Sequence, residues 1–318
     1  MKKNIPAFIV SLALLSACSK DLPVKSLSFT AAATNTTLQL GDTAIFNFTG
    51  EPDFISFYSG ETGHRYAYRN RTTAEGKPVL SFTSARANGN QSNSLQLMIS
   101  SSFTGVKTED TAATVAAIQA GNWTDITSRA ILSTGSAKPS GEIDLSDFAG
   151  SGKPVYIAFR HNGYKGSAYS KWTITEFEVT NNLPDNTSYL IANMAAPTTE
   201  ILNYGVSTYS PGFVAATVTG PYKWVISAGK SLVITGATSP ATATDDSENW
   251  AIIGPIDLRK VTPDLGLPIK MISENMEKFP FKYQYPAAGS YEATFEASNA
   301  NAGGVKSAVQ SVKITVNE

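Results

Sequence analysis

Cysteine, histidine and clustered charge are what this chain has least of, and each shortage removes a class of function. One cysteine in 318 residues allows no intramolecular disulfide. Stability has to come from packing, and roughly 300 residues suffice for that in one large or two ordinary domains. The two histidines, His64 and His161, lie in separate segments with no cysteine or second histidine nearby. A histidine-based metal site or a Ser-His triad is poorly supported by that distribution. Basic and acidic residues nearly cancel, 25 against 26, and no basic stripe appears. A nucleic-acid backbone demands clustered Lys and Arg, so nucleic acid is not an expected partner. Nucleophile elbow, P-loop and Rossmann fingerprint are all missing. Glycoside hydrolysis needs two carboxylates across a sugar, and no pair stands out with its own hydrophobic pocket. No catalytic residue, cofactor or metal is therefore assigned. The densest acidic stretch, "TDDSEN" (Thr244 to Asn249), could offer oxygens to calcium, but the spacing and turn glycine of an EF-hand are missing.

What is present begins with the N-terminal segment. Lys2 and Lys3 precede "IPAFIVSLALL", an apolar run too short to span a bilayer and of the right length for a secretory signal core. "LSAC", Leu15 to Cys18, follows and resembles the bacterial lipobox. Residues 1–17 are expected to be a lipoprotein signal peptide, and Cys18 the lipidated residue. The rest is then a body held at the membrane only by acyl chains. "SKDLP" after Cys18 resembles, in part, the signal that exports Bacteroidetes lipoproteins to the outer face of the outer membrane. The expected location is the outer membrane, facing the cell exterior. Residues 18–37 read as the lipidated cysteine and a tether, although Leu27 and Phe29 could also pair as an edge strand.

Strand patterns dominate the remainder. Ala44, Phe46 and Phe48 alternate between Gly41 and Gly50, and "DFISFYSGE" repeats the pattern. Leu95, Leu97 and Ile99 share one face, as do Val155, Ile157 and Phe159. Trp172 and Ile174 are followed out of phase by Phe177 and Val179, which predicts a bulge near Thr175. "KWVIS", "SLVITG" and "NWAIIG" read as later strands. "ENWAIIGPIDL" (Glu248 to Leu258) reads as a buried strand ended by a Gly-Pro corner. Tyr291, Ala293, Phe295 and Ala297, a turn at "NANAGG", then Val312, Ile314 and Val316 make a closing hairpin. One helix is expected in "TEDTAATVAAIQAG", with acidic residues in its first turn, Ala112, Val115 and Ile118 as its apolar positions and Gly121 as its stop. An all-β sandwich architecture follows. Few charges with abundant Ser, Thr, Asn, Gly and Tyr suit an extracellular sandwich.

Two resemblances refine this. "LQLGDTAIFNFTG" and "YPAAGSYEATFEASN" look like the opening strands and closing hairpin of an immunoglobulin-like domain of the polycystic-kidney-disease (PKD) type. Between them, Leu80 to Phe82, Leu95 to Ser100, Trp123 to Ile126, Ile143 to Gly150, Val155 to Arg160, Trp172 to Val179 and Trp250 to Leu258 resemble the pieces of an adhesin-type, galactose-binding-like jelly roll in rotated order. The resemblance implies a circularly permuted jelly-roll module, residues 69–266, inserted in or packed on a discontinuous immunoglobulin/PKD-like sandwich, residues 38–68 plus 267–318. Nearby termini make permutation and insertion tolerable in sandwiches. The whole layout, with "FISFYSGE" early and "WAIIGPIDLRKVTPD" late, resembles a Bacteroidetes surface lipoprotein family of unknown function (domain of unknown function 5017). Its members are found beside SusC/SusD-type glycan importers. That implies non-catalytic glycan binding for an adjacent importer. "DTA" at Asp42 and at Asp110 resembles an O-glycosylation acceptor of the same bacterial group.

Sugar binding uses flat aromatic faces with polar groups around them. "RHNGYKGSAYSKW" offers Tyr164 and Tyr169 with Arg160, His161 and Asn162, and "GPYKW" adds Tyr222 and Trp224. These seven are the candidate ligand contacts. Trp123, Trp172 and Trp250 sit at strand positions and are expected in the core. The competing expectation is an adhesin or structural subunit that binds protein.

Overall fold

The computed structural model describes residues 23–197, 199–275 and 280–318. The signal core, the lipobox and Cys18 lie outside the described residues. Strand far outweighs helix, 47% against 7%, so the chain is all-β. It divides into two compact units. One holds the described residues up to Tyr66 and from Gly266 onward; the other is Ala67–Leu265.

The first unit is built from two sheets. Thr30–Ala33, Ala44–Thr49 and Phe281–Tyr283 form one, and Leu267–Lys270, Phe54–Tyr58, Gly289–Asn301, Gly304–Asn317 and Thr37–Gln39 form the other, in that order. Period-two alternation sends Ala44, Phe46, Ala293, Phe295, Ala297, Ile314 and Val316 into one core. The Phe46 and Phe295 rings meet edge-on at 4.9 Å. Part of residues 18–37, expected as a tether, is strand. Thr30–Ala33 pairs antiparallel with Ala44–Thr49, and Phe29 is buried and stacks on Phe48 at 5.7 Å. Burying Phe29 stabilises this pairing by about 2 kcal/mol. Gly50 permits it, because a Cβ there would collide with the Ser28 carbonyl.

The second unit is also two-layered. Its five-stranded sheet runs Phe213–Thr219, Ser247–Ile256, Val155–Gly163, Leu95–Ser100, Thr124–Asp125. The second sheet has a main path of Val225–Ser227, Ser231–Ile234, Lys171–Asn182, Lys77–Ala87 and Lys138–Pro139. Leu97, Ile99, Ile157 and Phe159 from the first meet Phe82, Trp172, Ile174, Phe177 and Val179 from the second in one core. The phase slip in Lys171–Asn182 is a bulge. Thr175 pairs with Thr83 and Glu178 with Ser81, so Glu176 and Phe177 stand opposite Phe82 alone. Glu176 takes φ +54°, which returns Phe177 and Val179 to the inner face.

The helix is Thr111–Ala120, and Asp110 precedes it as N-cap, accepting from the Ala113 N–H at 2.8 Å. Its buried residues are Thr114 and Ile118, while Ala112 is exposed, contrary to the sequence reading. Thr114 turns inward because its hydroxyl bonds both the N–H and the carbonyl of Lys107. The helix covers one end of the outer face of the five-stranded sheet, where Ile118, Phe103, Met98, Ala158, Trp250 and Ile252 form a second core. The Gly254–Pro255 step does not end its strand, which runs on to Ile256. Gly254 stays in line at φ +144°, where a Cβ would meet Tyr156 Cδ1 at 2.7 Å.

Candidate functional site

Alternation along Val155–Gly163 sends Ile157, Phe159 and His161 inward and Ala158, Arg160 and Asn162 to the outer face. Beyond the part that the helix covers, this face carries a strip of planar polar side chains. Arg160 is the centre. Its Nε donates to Glu248 Oε1 at 3.0 Å and its Nη1 to Gln96 Oε1 at 3.3 Å. The guanidinium lies 5.6 Å from the Trp250 ring centroid, within cation–π range. Trp250 Nε1 donates to the same Glu248 oxygen at 2.8 Å. Asn162 Nδ2 donates to Gln96 Oε1 at 3.0 Å, and Gln96 Nε2 donates to Asp125 Oδ2 at 2.7 Å.

Cross-strand register makes this strip. Arg160 stands opposite Gln96 on one side and Trp250 on the other, and Asn162 opposite Glu248. Paired side chains on one face lie about 5 Å apart, close enough for direct bonds. The strip is also open to solvent: the Arg160 and Glu248 side chains are 30% and 26% exposed, and Asp125 is exposed. Burial pushes the Asp125 carboxyl pKa up, but hydrogen bonds from the Thr127 hydroxyl, the Thr127 N–H and Gln96, with the charge of Arg160, hold it below the usual carboxylate value.

The loop after Gly163 is held tightly. Gln91 accepts from Tyr164 N–H at 2.9 Å and donates to the Tyr164 carbonyl at 2.7 Å and the Ser167 carbonyl at 3.2 Å. Lys165 N–H donates to Asp246 Oδ1 at 2.8 Å. Tyr164 itself is 44% exposed. Tyr169 is buried between two glycines: a Cβ on Gly163 or on Gly236 would approach its ring within 2.4 Å. Its hydroxyl donates to the Asp245 carbonyl, and Tyr222, half-buried, meets its ring edge-on at 5.5 Å.

Of the seven candidate contacts, Arg160 lies in the strip with its side chain partly exposed, whereas Asn162, bonded to the same Gln96 oxygen, is buried and supports the strip from within. Tyr164 is exposed and Tyr222 partly so. Three others are corrected. His161, Tyr169 and Trp224 are buried, and a buried ring offers no face to a ligand. His161 points inward by strand alternation, with Nε2 donating to the Ser170 carbonyl at 3.0 Å. Trp224 packs in the sandwich core and donates to the Asn249 carbonyl at 3.2 Å. The acidic stretch at 244–249 closes the loop through Asp245 and Asp246. Among the described residues no group of three or more His, Cys, Asp or Glu could hold a metal ion.

Sequence reasoning missed Gln96, Asp125 and Glu248. The first was visible as the polar step between Leu95 and Leu97, and Glu248 as the partner of Trp250 at spacing two. What no pattern supplied was the register that brings four strands together.

Compared with known proteins, residues 17–199 match the model of a domain of unknown function (DUF5017), which covers more than half of the chain and takes in Gln96, Asp125, Arg160 and Asn162. No curated protein and no solved structure matches. The chain belongs to the domain-of-unknown-function 5017 family.

Proposed function

We propose that this protein is an outer-membrane, cell-surface lipoprotein that binds a polysaccharide or oligosaccharide without cleaving it, for an adjacent SusC/SusD-type importer. The observation that carries the reading is the hydrogen-bonded strip Asp125–Gln96–Arg160–Glu248, with Asn162 beside it. Sugar hydroxyls both donate and accept, and planar amide, guanidinium and carboxylate groups held by one another meet them without losing rotamer freedom. Tyr164 supplies an exposed ring for stacking on a pyranose face. Single-site affinity is then weak and is raised by many copies on one membrane. The lipid anchor at Cys18, the jelly-roll topology of the second unit and the immunoglobulin/PKD-like character of the first belong to this reading.

Native affinity electrophoresis of the purified full-length protein through gels containing plant, host and microbial polysaccharides tests it. Retardation by a glycan that is not degraded is expected, and Arg160→Gln and Tyr164→Ala should each weaken it about tenfold. Unchanged mobility in every gel would sink it. A second reading, an adhesin or scaffold subunit binding protein, draws on the hairpin Glu200–Asn203 and Val206–Tyr209, where Leu202 is 68% and Tyr209 54% exposed.

A further inference from the structure

We propose that the strip selects neutral, hydroxyl-rich glycans and rejects acidic ones. The inference rests on the glycan-binding reading above and adds the class of sugar. A site for uronic acid or sulfate needs a cation with uncommitted charge. The cation of this strip is Arg160, and it is ion-paired to Glu248 at 3.0 Å, with its Nη1 turned to Gln96. Two carboxylates, Glu248 and the exposed Asp125, stand against that single guanidinium. Asp125 stays ionised at neutral pH, because Thr127, Gln96 and Arg160 outweigh the effect of its burial. The carboxylate or sulfate of an acidic glycan would meet two carboxylates against one guanidinium, and that group itself can only accept hydrogen bonds.

A hydroxyl pair meets the same groups differently. Glu248 spends Oε1 on both Arg160 and Trp250. Its Oε2 has no protein partner among the described residues and can accept from a sugar O–H. Arg160 keeps N–H donors beyond the two it spends, because a guanidinium carries five. One hydroxyl of a vicinal pair can donate to Glu248 while its neighbour accepts from Arg160. Hydrogen bonds to charged groups are the stronger kind, so a neutral diol gains from both partners of the ion pair without adding charge.

The test compares neutral polymers (galactomannan, xyloglucan, mixed-linkage β-glucan) with anionic ones (polygalacturonate, alginate, chondroitin sulfate), using the full-length protein in the same gels. Retardation by a neutral polymer, insensitive to added salt, is expected. Glu248→Gln should weaken it about tenfold, because a charged acceptor is replaced by a neutral one. Retardation by anionic polymers alone, or equally by both classes, overturns the inference and leaves the glycan-binding reading standing. Retardation by none removes both. The wild-type comparison decides even if the Glu248→Gln variant unfolds.

Discussion

His161 shows how one inward-facing side chain sets a pH limit. Burial pushes its pKa from 6.5 down to about 4, against the bond to the Ser170 carbonyl, which pulls it up. Its Nδ1 has no hydrogen-bond partner among the described residues. The unfolded chain takes up this proton near its ordinary pKa, and the folded chain refuses it until near pH 4. The stability contributed by neutral His161 is therefore present above the unfolded pKa and is lost as pH falls toward the folded one. Linkage puts the loss at on the order of 3 kcal/mol. Urea unfolding at a series of pH values should show that fall for the wild type and a flatter profile for His161→Gln. Equal slopes would mean that another group controls it. The sequence grouped His161 with Tyr164 as a ligand contact, but it is the last inward-facing side chain of Val155–Gly163, and strand length decides that.

At the scale of elements, the helix Thr111–Ala120 depends on its start. Asp110 satisfies the Ala113 N–H, one of the donors that a helix leaves unpaired. Asp110→Ala should cost about 1 kcal/mol in urea unfolding, and Asp110→Asn much less, because Asn also caps. A null result for Asp110→Ala would mean that packing of Ile118 alone holds the helix. Its end was legible, because Gly121 marks it locally; its start was not, because the acidic residues read into the first turn lie before the helix, with Asp110 as the N-cap. Its buried face was not, because Thr114 turns inward through bonds to Lys107 that lie outside helical periodicity. The bulge after Thr175 was legible, since two inward pairs out of phase require an extra residue between them.

For the whole molecule, the two units carry separate cores. All four tryptophans, Trp123, Trp172, Trp224 and Trp250, lie in Ala67–Leu265. Tryptophan emission therefore reports that unit alone. Phe295, fully buried in the other unit, contacts Phe46, Phe48 and Phe57. Phe295→Ala should destabilise its unit by about 3–5 kcal/mol. Denaturation followed by far-UV circular dichroism should then show an early phase, while the tryptophan transition stays where it was. A shift of both together would show that the units unfold as one.

The sequence by itself determined the strand class, the inner-face residues and the punctuation of turns, because alternation and caps are written within a few neighbouring positions. Ala44 and Phe46, Leu95 to Ile99 and the closing hairpin all follow from that local code. Only the tertiary structure decided which polar residues meet. Arg160, Gln96, Glu248 and Asp125 come from four strands far apart in the chain, and their contacts exist only once the register between those strands is set. The same long-range packing buried Tyr169 against Ala237 and Ala243 and Trp224 in the sandwich core, because rings of that size are stabilised more by filling a gap than by facing water.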